Sequence, residues 1–284
     1  MRNGGYANDD VLVDAQWLKD RLHDPALRVI EVDVNPKAYD SGHIPGAVLW
    51  NIYRDLKDSD YRLVGNAGLE KLFSDSGISP GSTVIFYGYG PAMGFWLMKL
   101  YGHGDVRILD LSRDAWASDG RPWTTDVVVP APTLYPLPAP DHWQRADQRQ
   151  VEDAIGEDGV TILDVRTPAE FRGERFWPSG TPEPGGRAGH IPSAVNQPVE
   201  SLRDDDGAFR SADDIARLLS GAARPDRGVI TYCTIGNRAS LAWFALKYLL
   251  GHDGVRVYDG SWAEWGRTPA APVETSRDDG NGAE

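Results

Sequence analysis

The sequence contains a single cysteine, Cys233, which lies between a run typical of a strand and a run typical of a helix. The apolar run is 228–232, and the helix-type run is 239–250. At the amino-terminal end of a helix, unpaired backbone N–H groups and the helix dipole create a positive potential that favours a thiolate. We therefore predict that Cys233 is a catalytic nucleophile. The alternative is an inert cysteine buried in the core.

The loop after Cys233 limits what the cysteine can carry. It ends at Arg238, which gives the spacing C-x4-R. A cysteine-dependent phosphatase of the tyrosine-phosphatase or dual-specificity type would need C-x5-R to wrap a tetrahedral phosphate. The shorter loop predicts a smaller cradle, whose backbone N–H groups would stabilise a persulfide on the cysteine as an oxyanion hole stabilises charge. The loop residues are Thr234, Ile235, Gly236, Asn237 and Arg238.

The elements that must position this loop occur twice along the chain. Each copy alternates strands with helices, so we predict an α/β fold of two tandem domains, each a mostly parallel sheet flanked by helices. The offset of nearly half the chain indicates a domain duplication. The matching landmarks are Gly42-His43-Ile44-Pro45 with Gly189-His190-Ile191-Pro192, Val84-Ile85-Phe86-Tyr87 with Val229-Ile230-Thr231-Tyr232, and Gly102-His103-Gly104-Asp105-Val106-Arg107 with Gly251-His252-Asp253-Gly254-Val255-Arg256.

The first copy has no nucleophile where the second has Cys233. Its corresponding segment, 88–91, reads Gly-Tyr-Gly-Pro, and the proline removes an N–H donor. We predict that the first domain is catalytically degenerate and helps to wall the pocket of the second. The predicted organisation is a flexible N-terminus at 1–10, the degenerate domain at 11–126, a Pro-rich linker at 127–142, the catalytic domain at 143–271 and a disordered tail at 272–284.

Composition argues against several classes of function. The net charge of −13 argues against general affinity for nucleic acid. No apolar run reaches the length of about eighteen residues that a membrane span needs. One cysteine rules out an intramolecular disulfide and a multi-cysteine metal site, and we expect no metal and no cofactor. The lone thiol fits a reducing compartment and no secretory signal is evident, so we expect a cytoplasmic protein.

From about Val11 to Thr268 the chain resembles the tandem-domain rhodanese family, which includes thiosulfate and 3-mercaptopyruvate sulfurtransferases. The resemblance implies that Cys233 is the catalytic cysteine and that 234–238 is the active-site loop. It also implies that Asp164, with Arg166 beside it, supports the active-site architecture. Besides the C-x4-R loop, the motifs that carry it are Gly42-His43-Ile44-Pro45-Gly46-Ala47, Asp164-Val165-Arg166, Gly189-His190-Ile191-Pro192-Ser193-Ala194-Val195-Asn196 and Tyr258-Asp259-Gly260-Ser261-Trp262-Ala263-Glu264-Trp265.

The resemblance implies a double displacement. The Cys233 thiolate would attack the outer sulfur of thiosulfate, sulfite would leave, and a thiophilic acceptor such as cyanide or a cellular thiol would take the sulfur, with ping-pong kinetics. The implied partners are a small-molecule sulfur donor and a thiophilic acceptor, and a sulfur-acceptor protein is a further candidate. The alternative to an enzyme is a persulfide carrier or regulatory module without turnover.

The identity of the donor is open between thiosulfate and 3-mercaptopyruvate. Thiosulfate-using members often carry cationic residues just after the cysteine, and mercaptopyruvate-using members carry small neutral ones. This chain has Thr234 and Ile235 there, which match neither pattern well. The candidates for binding an anionic donor are Arg166, Arg172, Arg175 and Arg187.

Three polar features have two interpretations each. Arg238 is either a staple of the loop or a sulfonate binder. Asp164 either supports the loop structurally or tunes Cys233. His43 and His190 invite a catalytic role, but they recur in both copies, including the one without a cysteine, so we predict a structural role.

Overall fold

The computed structural model of the chain describes residues 4–221, 224 and 226–275, which form two α/β units with the same succession of elements. The first unit contains β1 (Leu12–Val13), α1 (Ala15–Lys19), β2 (Leu27–Asp33), α2 (Pro36–Asp40), β3 (Val48–Asn51), a π-helical turn (Ile52–Leu56), α3 (Asn66–Asp75), β4 (Thr83–Gly88), α4 (Pro91–Leu100), β5 (Val106–Leu109) and α5 (Arg113–Ser118).

The second unit repeats this order after a short 3-10 turn. It contains that turn (His142–Gln144), β6 (Arg145–Ala146), α6 (Gln148–Asp153), β7 (Val160–Asp164), α7 (Pro168–Phe171), β8 (Val195–Asn196), a second 3-10 turn (Glu200–Leu202), α8 (Ala212–Leu219), β9 (Gly228–Tyr232), α9 (Asn237–Phe244), a π-helical turn (Ala245–Leu249), β10 (Val255–Tyr258) and α10 (Ser261–Trp265).

Each unit is built on a five-stranded parallel sheet. The strand orders are β1-β5-β4-β2-β3 and β6-β10-β9-β7-β8, so β4 and β9 occupy equivalent central positions. Both strands are buried over nearly their whole length, as expected for parallel strands with helices on both faces. This architecture confirms the predicted α/β fold of two tandem domains. Cys233 directly follows β9, at the carboxyl edge of its sheet, where α/β folds place their ligand sites.

The two units share one hydrophobic core that passes through helices α4 and α9. The ring of Phe95 on α4 lies 4.8 Å from that of Phe244 and 6.2 Å from that of Trp243, both on α9. Burying an aromatic side chain of this size contributes about 1.5–3 kcal/mol to stability. Because α4 follows β4 and α9 follows β9, this packing brings the ends of the two central strands together.

Both terminal segments, which the sequence predicts to be flexible or disordered, are attached to the second unit. Ala7 N–H donates to the Leu249 carbonyl at 2.9 Å, and Tyr6 Oη donates to the Arg210 carbonyl at 2.8 Å. At the other end, Glu274 and His190 exchange backbone hydrogen bonds of 2.8 and 2.9 Å. From their polar composition, the backbone groups of these segments would be expected to bond to water. Here several of them are satisfied by hydrogen bonds to the second unit. Residues 1–3 and 276–284 of the predicted flexible termini lie outside the described residues.

Residues 125–140 contain no helix or strand and run along the first unit. Thr133 N–H donates to the Ser74 carbonyl at 3.0 Å, and Leu137 N–H donates to Glu70 Oε1 at 3.0 Å. The closely spaced prolines prevent a helix here. The predicted linker is therefore held along α3 rather than spanning open solvent.

Candidate active site

The sulfur of Cys233 faces the loop that follows it. Its Sγ accepts a hydrogen bond from Gly236 N–H at 3.2 Å, and its own N–H donates to Ser261 Oγ at 3.1 Å. The residue is only 1% exposed. The loop therefore curls back over the sulfur and directs one backbone donor at it.

Gly236 makes this curl possible. It precedes the first residue of α9, Asn237, with φ +91, in the left-handed region that favours glycine. A Cβ at this position would lie 2.9 Å from the carbonyl oxygen of Asp259. The first N–H groups of α9 have no acceptor within the helix, as at every helix start.

Cys233 opens into a cavity of about 110 Å³ between the two units. The first unit contributes Tyr53 and Tyr89 to its wall. The loop after β4 is also in close contact with α9, since a Cβ at Gly90 would lie 2.5 Å from Asn237 Oδ1. These contacts confirm the prediction that the first repeat helps to wall the pocket. The full lining is Val34, Tyr53, Tyr89, Trp177, Pro178, Cys233, Thr234, Ile235, Asn237 and Arg238.

The two ends of the loop are held by one carboxylate, Glu170 of α7. Arg238 donates to Glu170 Oε2 at 2.9 Å and to Oε1 at 2.8 Å, and Thr234 Oγ1 donates to Oε1 at 2.9 Å. Burial opposes the charge of Glu170, but the hydrogen bonds and charge of Arg238 hold the pKa of this carboxyl below its usual value. The geometry favours the staple interpretation of Arg238 over that of a sulfonate binder.

Arg238 remains a cation next to the sulfur. Burial by itself would lower the pKa of its guanidinium, but hydrogen bonds to Glu170 and the proximity of Cys233 raise it above the ordinary value. A second carboxylate, Glu200, lies 3.4 Å from Nη1. The charge of Arg238 is thus largely compensated by the protein before any anionic donor arrives.

Sequence reasoning missed Glu170. The available signal was the capping box of α7, in which Thr167 and Glu170 cap each other's backbone N–H groups. That motif predicts a helix start and says nothing about a partner 68 positions away.

Asp164 and Arg166 form a buried ion pair, with Arg166 Nη2 2.6 Å from Asp164 Oδ2. Arg166 also donates to the Gly189 carbonyl at 2.7 Å, and its guanidinium lies 4.5 Å above the ring of Trp262. Neither residue lines the cavity of Cys233. The structure therefore places them as supports of the end of β7 and gives Arg166 no place as a donor ligand.

The other three arginines predicted to bind the donor have hydrogen-bond partners away from the cavity of Cys233. Arg172 donates to Glu174 at 2.7 Å, Arg175 to the Pro178 carbonyl at 3.0 Å, and Arg187 to the Gly266 carbonyl at 3.4 Å. None lines the cavity in front of Cys233. The chain between α7 and β8 directs their guanidinium groups to neighbouring carbonyls and a surface carboxylate.

A second cation close to the loop comes from the first unit and was also missed. Lys57 Nζ donates to the Asp259 carbonyl at 2.7 Å and lies 3.6 Å from its Oδ2, while Arg145 Nε donates to Asp259 Oδ1 at 2.6 Å. Burial lowers the pKa of the Lys57 ammonium despite the nearby Asp259 carboxylate. This cluster joins the two units beneath the loop, because the same Asp259 carbonyl packs against Gly236.

The repeated histidines serve as internal hydrogen-bonding groups. His43 Nδ1 lies 2.9 Å from the Tyr39 carbonyl, and His190 Nδ1 lies 2.8 Å from the Phe171 carbonyl. These contacts support the predicted structural role. Within 4–221, 224 and 226–275, no three His, Cys, Asp or Glu side chains are grouped closely enough to hold a metal ion. No helix in those ranges is long and apolar enough to cross a membrane.

Comparison with known proteins extends the similarity over nearly the whole chain. The family model for the Rhodanese-like domain matches residues 14–119 and 147–268. A Saccharopolyspora erythraea protein named "Putative thiosulfate sulfurtransferase" is 40% identical over 281 residues, covering 96% of this chain and 99% of its own. "Sulfur carrier protein TtuD" of Thermus thermophilus is 40% identical over 279 residues, covering 95% and 98%.

A solved structure shows the same arrangement of both units. It is an anaerobic ergothioneine biosynthesis enzyme from Chlorobium limicola, in complex with trimethyl histidine. It matches with a TM-score of 0.82 at 25% sequence identity, over 96% of this chain and 72% of that one.

Proposed function

This chain belongs to the rhodanese family of sulfurtransferases, and we propose that it moves sulfane sulfur from thiosulfate to a thiophilic acceptor through a persulfide on Cys233. The observation that carries the proposal is the contact of Gly236 N–H with Cys233 Sγ at 3.2 Å, at the end of a small cavity. A sulfur atom added to Sγ would lie among the loop N–H groups, which stabilise developing negative charge.

The first half-reaction charges the enzyme. The Cys233 thiolate attacks the outer sulfur of thiosulfate, the S–S bond of the donor breaks, and sulfite leaves with the bonding pair. In the second half-reaction an acceptor such as cyanide attacks the outer sulfur of the persulfide, and the Cys233 thiolate leaves. Splitting the transfer into two displacements lets one site serve both substrates in turn.

Thiosulfate as donor is supported by the name of the Saccharopolyspora erythraea relative. The cations near Cys233 are already paired, Arg238 with Glu170 and Lys57 with Asp259. The anionic end of the donor must then bind mainly through backbone N–H groups. The alternative donor, 3-mercaptopyruvate, carries a carboxylate that would need the same groups.

A sulfur carrier without rapid turnover is the second candidate. It is supported by the Thermus thermophilus relative, whose name is that of a sulfur carrier protein. Both candidates require Cys233 to stay reduced, so we propose that the protein acts in the cytoplasm.

The test is a steady-state comparison of thiosulfate and 3-mercaptopyruvate with cyanide as acceptor, run on the wild-type chain and on Cys233→Ser. We expect sulfite release and thiocyanate formation with parallel double-reciprocal lines, and loss of both in the variant. Stoichiometric sulfite release, with a gain in mass of one sulfur atom and no thiocyanate, would instead support the carrier. Full activity of Cys233→Ser, or hydrolysis of an aryl phosphate in place of sulfur transfer, would overturn the proposal.

A further inference from the structure

The segment that follows the first unit is fastened to it by a tyrosine. Tyr135 is 4% exposed, and its ring lies edge-on to that of Phe73 on α3, with 5.1 Å between the ring centres. Its hydroxyl lies 2.8 Å from Nδ1 of His103, whose Nε2 lies 2.8 Å from the Ser82 carbonyl. Burial lowers the pKa of His103, so the ring is neutral, donates from Nε2 to the carbonyl and accepts the tyrosine hydroxyl at Nδ1. The first unit thus contains a complete site for a tyrosine side chain, built by α3 and the turn 102–105.

The internal repeat supplies a matching helix in the second unit. Helices α3 and α8 each precede the central strand of their sheet, and 69–74 matches 215–220. Leu69 and Ile215 occupy the same place in this match, and both are fully buried. The residues of α3 that contact the segment carrying Tyr135 are Glu70, Phe73 and Ser74, and their counterparts on α8 are Ala216, Leu219 and Ser220.

The histidine of the turn is repeated as well. His252 takes the place of His103, and its Nε2 lies 3.0 Å from the Arg224 carbonyl in the segment before β9. A neutral ring that donates from Nε2 to a carbonyl can accept only through Nδ1. Within 4–221, 224 and 226–275, Nδ1 of His252 has no hydrogen-bond partner. The second unit therefore offers the same acceptor without the hydroxyl that meets it in the first.

A cavity of about 660 Å³ lies where these repeated groups meet. Its volume is in the range of about 300–1,000 Å³ that is usual for ligand sites. The three counterparts on α8 and His252 all line it, together with Leu246 and Leu250 of the helix before the turn. Ala216 and Ser220 are exposed, and His252 is half-buried, so the walls can be reached from solvent. The second unit is thus open at the place that Tyr135 fills in the first.

The charged groups around this cavity compensate one another. Arg224 and Asp226 form a pair at 3.2 Å, and Arg227 and Asp253 contribute one charge of each sign. The cavity therefore favours a neutral ligand with an apolar body. A phenol ring has that character, because its face packs on apolar side chains while its hydroxyl donates a hydrogen bond.

The chain around Tyr135 shows how such a ring is delivered. Residues 125–140 contain no helix or strand, and their prolines keep the backbone extended. An extended segment that is already ordered loses little conformational entropy when it binds. Its Thr133 N–H donates to the Ser74 carbonyl at 3.0 Å, which lays the segment along α3. Leu137 N–H donates to Glu70, and this one contact has no equivalent in the second unit, where Ala216 stands.

We propose that the cavity between α8 and the turn 251–254 is a docking site for a partner protein, which inserts a proline-flanked tyrosine between Leu219 and His252. The tyrosine hydroxyl donates to Nδ1 of His252. Gly228 at the amino end of β9 lines this cavity, whereas Cys233 follows the carboxyl end of the strand, about 16 Å away. The partner is therefore held apart from the sulfur, and docking does not depend on the proposed sulfur transfer.

The probe is the peptide Ala-Pro-Thr-Leu-Tyr-Pro-Leu-Pro-Ala, which copies residues 131–139, blocked at both ends and labelled with fluorescein. Fluorescence anisotropy measures its binding to the full chain. We expect saturable binding that weakens by about twofold to tenfold when phenylalanine replaces the tyrosine, because one hydrogen bond is lost. Alanine in its place should weaken binding by at least about tenfold, because the ring is lost as well.

Two variants of the protein locate the peptide. Ala216→Arg places a long side chain at the cavity and should weaken binding by at least about tenfold, whereas Ala67→Arg, at an exposed alanine of α3, is the matched control and should leave it unchanged. His252→Phe removes the acceptor, so the tyrosine and phenylalanine peptides should bind it equally. If this variant cannot be purified, Ala216→Arg decides by itself, because its side chain extends from the surface of α8.

Other occupants give different results. Binding that survives Ala216→Arg would place the peptide elsewhere, for instance in the site that Tyr135 already fills, and would overturn the proposal. Absence of saturable binding, or equal binding of the tyrosine and alanine peptides, would do the same. If p-cresol binds as tightly as the peptide, the cavity takes a free phenol and not a partner segment. If the chain sediments as a dimer that the peptide dissociates, the occupant is a second copy. Either of these last two results also overturns the docking of a partner.

Discussion

Glu170 and Arg238 form a two-point ion pair next to Cys233, with donor–acceptor distances of 2.9 and 2.8 Å. Because Thr234 donates to the same carboxylate, Glu170 holds both the first and the last residue of the loop. The Glu170 side chain is fully buried, whereas that of Arg238 is 14% exposed. The shape of the loop around the sulfur therefore depends on a residue of another helix.

Glu170→Gln should destabilise the protein and loosen the loop. Removing one partner of a buried pair costs about 3–5 kcal/mol, and Gln retains only part of the hydrogen bonding. We expect urea unfolding to show a loss of at least about 2 kcal/mol and the turnover of thiosulfate with cyanide to fall about tenfold. Glu200→Gln is the control, since Glu200 is 54% exposed and should change stability by less than about 1 kcal/mol.

The Glu170 pair also predicts a pH dependence of stability. Arg238 keeps the pKa of Glu170 below its ordinary value of 4.5, against the opposing effect of burial. A lowered native pKa stabilises the fold above the unfolded value, and this contribution is lost as the pH falls through the native one. The gap in unfolding free energy between wild type and Glu170→Gln should therefore shrink below about pH 4.5. A gap that stays constant from about pH 3 to pH 7 would contradict this assignment.

Gly236→Ala tests whether the curl of the loop sets the activity. The φ of +91 is unfavourable for alanine, and its Cβ would lie 2.9 Å from the Asp259 carbonyl. We expect a loss of about 1–3 kcal/mol in thermal unfolding and loss of most sulfur transfer, because the Gly236 N–H would move from the sulfur. Gly159→Ala is the control, since nothing lies within 4 Å of its added Cβ. Equal losses of stability and activity in both variants would show that the conformation of Gly236 does not set the activity.

We expect that the arginines outside the cavity do not bind the donor. Arg172→Ala, Arg175→Ala and Arg187→Ala should each leave the KM for thiosulfate within about twofold of the wild-type value, since none lines the Cys233 cavity. The measurement is donor saturation at fixed cyanide. A tenfold rise in KM for one of them would return that residue to the donor site.

Much of the fold could be predicted from the sequence because buried parallel strands form continuous apolar runs. The run 228–232 coincides with β9, and the repeated landmarks place β4 at the matching position of the first sheet. The same local pattern, a strand, a loop and a helix, put Cys233 at the carboxyl edge of the sheet. These features depend on residues that are neighbours along the chain, and such local patterns are visible in the sequence itself.

The charged surroundings of the loop could not be predicted in this way. Glu170 and Arg238 are 68 positions apart, and Lys57 and Asp259 are 202 positions apart. The C-x4-R spacing identifies Arg238 as part of the loop, but no local pattern shows that its partner is Glu170 or that Arg175 donates to the Pro178 carbonyl. Side-chain partners this far apart along the chain are set by packing, which a single sequence does not encode in any local pattern.

Lys57 provides the sharpest test of how the two units cooperate. It belongs to the first unit, its side chain is 1% exposed, and it donates to the Asp259 carbonyl of the second unit at 2.7 Å. Lys57→Met removes this donor and leaves Asp259 with Arg145 as its cationic partner. We expect a loss of about 2–3 kcal/mol in urea unfolding, less than for an isolated buried pair because Arg145 remains. Lys71→Met, at an exposed pair with Asp75, should lose less than about 0.5 kcal/mol.

Lys57→Met should also lower kcat more than it changes the KM for thiosulfate. The Asp259 carbonyl that accepts from Lys57 packs against Gly236, so releasing it disturbs the N–H group that faces Cys233 without removing a group that binds the donor. A variant as stable and active as wild type would show that the aromatic packing of Phe95 against α9 joins the units by itself. A fall in stability with unchanged kcat would mean that the buried cluster supports the interface but not the loop.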